Sequence, residues 1–243
     1  MLFVAIAATF FAAGIVKGVT GMGLPTVAMA VLGALMSPLA AASLLIAPSL
    51  VTNIWQLFAG PNFGAQLRRV WTMMAAILAG TLAGASVLTN GATGFTTMAL
   101  GAALVVYAVY SLLAPALRIP TTWEPWLSPA IGALTGLVTG GTGVFVIPAV
   151  PYLQALGLKK DDLVQALGLS FTVSTIALTA GLVWHGSFRI GNFAMSAVAI
   201  FPALAGMWAG QAIRSKVSPA TFRRWFLVSL LLLGAEMLAR PLL

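Results

Sequence analysis

The chain has 243 residues, 60% of them hydrophobic and only 7% charged, with 12 Lys and Arg against 4 Asp and Glu for a net charge of +8. Soluble domains carry roughly a quarter charged residues, so a solvated surface is excluded, and the absence of cysteine excludes disulfides and thiolate metal sites. The basic residues are scattered singly or in pairs between apolar stretches, the pattern of topology signals rather than of a nucleic-acid surface. Its acids, Glu124, Asp161, Asp162 and Glu236, and its one histidine, His185, are far apart in sequence. No enzyme, cofactor or metal site is expected from them.

Gly, Pro and charge divide the chain into ten apolar segments. In the first half they cover 1–17, 24–36, 38–59, 70–89 and 94–114; in the second, 126–139, 144–158, 162–185, 190–213 and 220–239. The first lacks the basic leader of a signal peptide and is read as a membrane segment. Runs such as Leu227–Leu233 do not alternate as strands of a β-barrel would. The expected class is therefore an all-α polytopic membrane protein. The first two segments of each half fall mostly short of the ~20 residues a straight span needs; the other three are long enough. This predicts two repeats, 1–120 and 121–243, each a short hairpin or re-entrant pair followed by three full helices, with 8–10 membrane segments in all.

Two sequence matches support the duplication. Residues 14–25, GIVKGVTGMGLP, are echoed from Gly136 as GLVTGGTGVFVIP, and LAGTLAG (78–84) returns as LAGMWAG (204–210). The second match has the small-xxx-small spacing of membrane helix contacts. If each short pair enters and returns, one side of the membrane holds Arg68, Arg69, Arg118, Lys159, Lys160, Arg214, Lys216, Arg223 and Arg224, and the other only Arg189 and Arg240. If each pair is one broken span, the bias disappears. The positive-inside rule thus favours returning pairs with both termini outside. An odd number of crossings per half then inverts the second repeat relative to the first, a recurrent transporter plan.

Glycine is costly inside a helix and proline is tolerated in a first turn. Gly18-Val19-Thr20-Gly21 before Pro25, and Gly140-Gly141-Thr142-Gly143 before Pro148, are therefore expected to end one helix and start another. Broken backbone in hydrocarbon must be buried in protein or line a cavity. The expectation is that the two breaks meet near the midplane and present N–H groups and helix N-termini to an anion.

At these residues the chain resembles the sulfite exporter TauE/SafE family, also called the four-toluene-sulfonate uptake permeases. The resemblance is carried by Gly132, Gly136, Gly141, Gly143 and Pro148, by Ala166, Gly168 and Ser170, and by Asn53 within PSLVTNIWQ. It departs at Thr142 and Leu169, and in the first copy at Lys17, Val19 and Pro25. The resemblance implies transport of small sulfur-containing or organic anions such as sulfite or sulfonates, in a bacterial inner membrane.

The candidate substrate-binding residues are Lys17, Thr20, Gly21, Asn53, Gln56, Gly141, Thr142, Gly143, Ser170 and Ser174. Two readings of Lys17 stand: a cation facing a cavity, or a snorkelling side chain at a helix end. Thr20 and Thr142 either contact the substrate or cap the next helix. Asn53, Gln56 and the run Ser170, Thr172, Ser174, Thr175 either line a cavity or bond within the helices. The partners expected are a small anion and the bilayer, with no nucleic acid and the oligomeric state left open. Moving one negative charge outward with an inside-negative potential gains about 2.3 kcal/mol per 100 mV, which favours export by alternating access. A passive anion channel and a non-transport assembly protein are the rival readings.

Overall fold

Long apolar runs leave a backbone in hydrocarbon few ways to satisfy its own polar groups, and the helix is the local one. The structure, a computed structural model, describes residues 2–113, 117–188, 190–214 and 218–240. Arg189 and Lys216, two of the residues in the charge argument, lie outside them. The described residues form eleven α-helices, one 3-10 turn at Thr121–Trp123 and no strand. In chain order the helices are α1 (Leu2–Thr20), α2 (Leu24–Leu35), α3 (Pro38–Phe58), α4 (Phe63–Asn90), α5 (Thr93–Leu113), α6 (Glu124–Thr142), α7 (Ala149–Ala155), α8 (Lys160–Trp184), α9 (Ile190–Val198), α10 (Ile200–Ile213) and α11 (Pro219–Ala239).

Six stretches are long and apolar enough to cross a membrane: Leu2–Thr20, Pro38–Phe58, Phe63–Asn90, Thr93–Leu113, Lys160–Trp184 and Ala194–Ile213. The polarity of the molecule agrees with that. Trp184, Trp208, Phe201 and Leu232 are exposed, whereas Lys17, Thr52, Asn53, Gln165 and Ser170 are buried. The protein is an all-α, multi-pass membrane protein.

Helix boundaries differ from expectation where the sequence makes glycine a helix breaker. The segments expected at 1–17 and 126–139 extend to Thr20 and Thr142, so that α1 and α6 each have 19 residues. Only the second members of the pairs are short, α2 with 12 residues and α7 with 7. The reason is packing. A Cβ added to Gly132, Gly136 or Gly140 of α6 would run into the backbone of Met73, Ile77 or Thr81 in α4, and one added to Gly14 or Gly18 of α1 would meet Ala203 or Met207 in α10. Helix backbones in that close contact repay the glycine propensity cost through dispersion. The segment expected from 70 begins at Phe63 and bends at Val70, the one expected at 190–213 is interrupted at Ala199, and the one expected at 144–158 is helical only over Ala149–Ala155.

The close contacts also fix directions. Gly132, Gly136 and Gly140 meet Met73, Ile77 and Thr81 in the same order, so α6 runs parallel to α4; Gly14 and Gly18 meet Ala203 and Met207 in order, so α1 runs parallel to α10. The repeated LAG sequences supply the other side of both contacts: Gly80 and Gly84 face Ala133 and Leu137, and Gly206 and Gly210 face Phe11 and Ile15. Helices α5 and α11 cross antiparallel, Gly101 against Gly234 and Met237, and Gly234 against Gly101 and Val105. At the centre α3 packs on α8, with α9 against α3 and α4 against α8. Exchanging the halves maps this set of partners onto itself.

Pro48 lies inside α3 and cannot donate to the carbonyl of Leu44. Ser196 of α9 does so instead, its Oγ donating to Leu44 O at 2.7 Å and accepting from Ala47 N at 3.0 Å. Ser196→Ala should therefore orphan the buried Leu44 carbonyl and cost about 1–3 kcal/mol, read as a lowered midpoint in denaturant unfolding of the detergent-solubilised protein.

Candidate functional site

The two glycine motifs adopt the same local structure. Thr20 and Thr142 each end a helix, and each hydroxyl donates to the carbonyl four residues back, Val16 O at 2.8 Å and Val138 O at 2.6 Å. Each accepts the amide two residues ahead, Met22 N at 3.3 Å and Val144 N at 3.2 Å. The next residue is left-handed in both copies, Gly21 with φ 78° and Gly143 with φ 72°, a conformation that favours glycine. Its amide closes the last turn on Lys17 O or Thr139 O, at 2.8 Å in each case. The threonines thus finish the helix before them rather than cap the one after. Pro25 then opens α2 and Pro148 precedes α7.

Lys17 lies one turn before the first break, on the buried side of α1. It is 3% exposed, so its ammonium is buried among protein groups. Its Nζ donates to Asn53 Oδ1 and, at 3.2 Å, to Thr52 Oγ1, both on α3. Thr52 is held by donating to Pro48 O at 2.8 Å, and Asn53 is held by donating from Nδ2 to Thr175 Oγ1 of α8 at 3.3 Å. No described carboxylate pairs with Lys17; the ion pairs among the described residues are Arg69–Glu124 and Arg240–Glu236. An ammonium has three donors, and these contacts occupy two.

One turn further along α3, Gln56 Nε2 donates to Gly21 O at 2.8 Å and to Val164 O at 3.0 Å. It ties the first break to the start of α8. Gln165 does the reciprocal job: its Nε2 donates to Leu57 O and Gly60 O, both at 2.8 Å, and its Oε1 accepts from Asn62 N at 3.0 Å. Around these groups several buried side-chain oxygens have no hydrogen-bond partner among the described residues, including Gln56 Oε1, Ser49 Oγ on α3 and Thr26 Oγ1 in the first turn of α2. Ser49, Asn53 and Gln56 share one face of α3 by their spacing.

The structure brings together Lys17, Gly21, Asn53 and Gln56, where α1 ends beside the last turns of α3. It does not bring Gly141, Thr142 and Gly143 to the same place. Gly143 faces the Met29 side chain and Gly141 faces Val87. Met29 lies six residues beyond Gly23 on α2, about 9 Å along the helix. The expected meeting of the two breaks is therefore not what the packing gives: they flank α2 at different levels.

Ser170 and Ser174 are buried without hydrogen-bond partners among the described residues but sit on a different side of α8 from Thr175. At 100° per residue they fall with Gly181, which meets Ala85 of α4, whereas Gly168 and Thr175 face α3. Thr52, Thr175 and Gln165 were missed or undervalued in the sequence. Thr52 and Thr175 look like ordinary membrane-helix hydroxyls. Gln165 carried a usable signal, a carboxamide at the start of α8 matching Gln56 at the end of α3.

The peripheral charges behave as their spacing suggests. Glu236 and Arg240 pair at 2.8 Å, and Asp161 and Asp162 occupy the first turn of α8. Trp71, Trp123, Trp126 and Trp184 are all exposed. Glu124 opens α6 and takes a two-pronged contact from Arg69, Nε to Oε2 at 2.9 Å and Nη2 to Oε1 at 2.6 Å. Arg69 also reaches Leu156 O at 3.1 Å, so this pair staples α4, α6 and the end of α7.

Interrupted helices and an apolar exterior around a buried cation define a membrane-embedded protein. The profile of the sulfite exporter TauE/SafE family matches residues 6–237 of the 243, and the chain belongs to that family. It is a family of membrane transporters of sulfite-type anions. No curated protein and no solved structure matches the chain significantly.

Proposed function

We propose that this chain moves a small sulfur oxyanion or organosulfonate across a bacterial inner membrane by alternating access, with export favoured over uptake. The observation that carries the reading is Lys17, a buried ammonium whose partners are two neutral oxygens. Burying a charge without a counter-charge costs several kcal/mol, and a bound anion supplies what is missing. Lys17, Asn53 and Gln56, with the N-terminal turn of α2 after Gly23, form the half of the site that we assign to direct contact. A helix N-terminus favours negative charge, and the unpartnered Thr26 hydroxyl in that turn adds a donor. Gly141, Thr142 and Gly143, with Ser170 and Ser174, form the second half, separated from the first by α2 and α8. In this reading they serve the opposite access state.

The mechanism rests on repeats 1–120 and 121–243 being inverted, and the directions of packing support that. Helices α1 and α3 both approach Gly21 and Gln56 at their C-terminal ends, and α4 returns from α3 through a four-residue loop. Helix α6, running with α4, is then opposite to α1. Arg240 Nη1 donates to Ala34 O at 2.8 Å, which sets the end of α11 beside the end of α2. We place this face, with both termini, outside, and the face with Arg68, Arg69, Lys159 and Lys160 in the cytoplasm.

Purified protein in liposomes loaded with sulfite should release it in a saturable manner, faster when the potential drives anions outward. External sulfite, thiosulfate or a sulfonate should stimulate exchange, and carboxylates should do so less. Unitary single-channel currents would overturn the carrier mechanism; stabilisation of the protein by cations alone would overturn the choice of substrate.

A further inference from the structure

Away from Lys17, the end of α5 and the first turns of α11 enclose a cavity of about 580 Å³, lined by Ser111, Leu113, Arg223, Arg224, Leu227 and Val228 among others. Its chemistry is divided. The two guanidiniums and Leu113 lie near the ends of the helices, and Ser111, Leu227 and Val228 lie deeper along them. Arg223 and Arg224 make no ion pair or hydrogen bond with any described residue, unlike Arg69 and Arg240. Arg223 is half-buried and Arg224 exposed, while Leu113 beside them is 78% exposed. The opening faces outward from the bundle.

The geometry points to this cavity as a binding site for an anionic glycerophospholipid, its phosphodiester held between Arg223 and Arg224 and one acyl chain laid along Leu112 and Val228. The charge complementarity selects the headgroup: two unpaired guanidiniums at the end of a membrane helix attract anionic lipid, and guanidinium geometry suits a phosphate in two-pronged contact. The apolar flank selects a lipid over a free anion, because inorganic phosphate would leave that wall unused. The cavity joins α5 to α11, the last helices of the two halves, whose backbones already touch at Gly101 and Gly234. Bound lipid would therefore bridge the halves at their edge, and the proposal stands independently of what Lys17 binds.

The test is thermal stabilisation of the delipidated, detergent-solubilised full chain by added phosphatidylglycerol, phosphatidylcholine or inorganic phosphate. Phosphatidylglycerol should stabilise at concentrations at least tenfold lower than phosphatidylcholine. Arg223→Gln and Arg224→Gln should each weaken that preference about fivefold, near the effect of one basic side chain at an anionic surface. Arg68→Gln, on another helix, should leave it intact, and Arg223→Lys with Arg224→Lys should keep part of it. If the double glutamine variant does not fold, the single variants carry the same readout. An unchanged phosphatidylglycerol preference in the glutamine variants would overturn the proposal. Equal stabilisation by inorganic phosphate would assign the cavity to a soluble anion and overturn it as well.

Discussion

Lys17→Met should abolish most anion binding while leaving the protein as stable as before or more so. Two opposing terms set the stability. Removing the ammonium leaves Asn53 Oδ1 without its donor, which costs about 1–3 kcal/mol. It also removes an unpaired buried charge, whose desolvation costs several kcal/mol, and methionine fills a similar volume. Binding responds in one direction only. A charge-assisted hydrogen bond to a bound oxyanion is worth about 2–3 kcal/mol, roughly a 30- to 150-fold loss of affinity. Because Lys17 is buried, the loss should change little with ionic strength. The measurement is sulfite-induced thermal stabilisation alongside the unfolding midpoint without ligand. A variant that binds sulfite like the parent would overturn the role given to Lys17; one that merely unfolds would instead mark the Lys17–Asn53 contact as structural.

The second large effect is on assembly. Gly136→Leu should destabilise by more than about 3 kcal/mol, at or beyond the upper end of ordinary overpacking. The obstruction is the backbone of Ile77, Gly80 and Thr81 in α4, which cannot rotate away as a side chain would. The helices must separate, and the neighbouring contacts at Gly132 and Gly140 open with them. Gly14→Leu, in the α1–α10 contact, should behave alike. Gly64→Ala and Gly94→Ala, where an added Cβ meets nothing within 4 Å, should be neutral or gain up to about 1 kcal/mol from helix propensity. Denaturant titration of the solubilised variants separates the two groups. A tolerated Gly136→Leu would mean that α4 and α6 are not in backbone contact.

These glycines show how much of the fold was legible and where legibility stopped. The motif at Gly18–Pro25 and Gly140–Pro148 marked both helix ends, because left-handed residues such as Gly21 and Gly143 and a following proline leave a local signature. The same rule placed the ends several residues early, at 17 and 139. Gly18, Gly140 and Gly141 are helical, and for Gly18 and Gly140 the reason is a partner helix distant in sequence. Propensity is a local quantity and does not see that partner. The LAG repeats at 78–84 and 204–210 identified packing faces, but not that each faces the first helix of the other half.

The candidate site divides along the same line. Lys17, Asn53 and Gln56 were visible as polar groups out of place in apolar segments, since hydrocarbon makes any such group costly. Thr52 and Thr175 were not, because a hydroxyl can satisfy itself on its own helix and so carries no signal until a neighbour arrives.

By itself the sequence determined that this is a helical membrane protein, where its two breaks fall, and its family, because hydropathy, helix-ending glycines and prolines, and motif spacing are all properties of short stretches of chain. The tertiary structure decided that Lys17 is buried against Asn53 and Thr52, and that the two breaks stand apart along α2. Burial and distance are set by which helices pack together, and here that choice belongs to glycine faces about 60 to 190 residues apart.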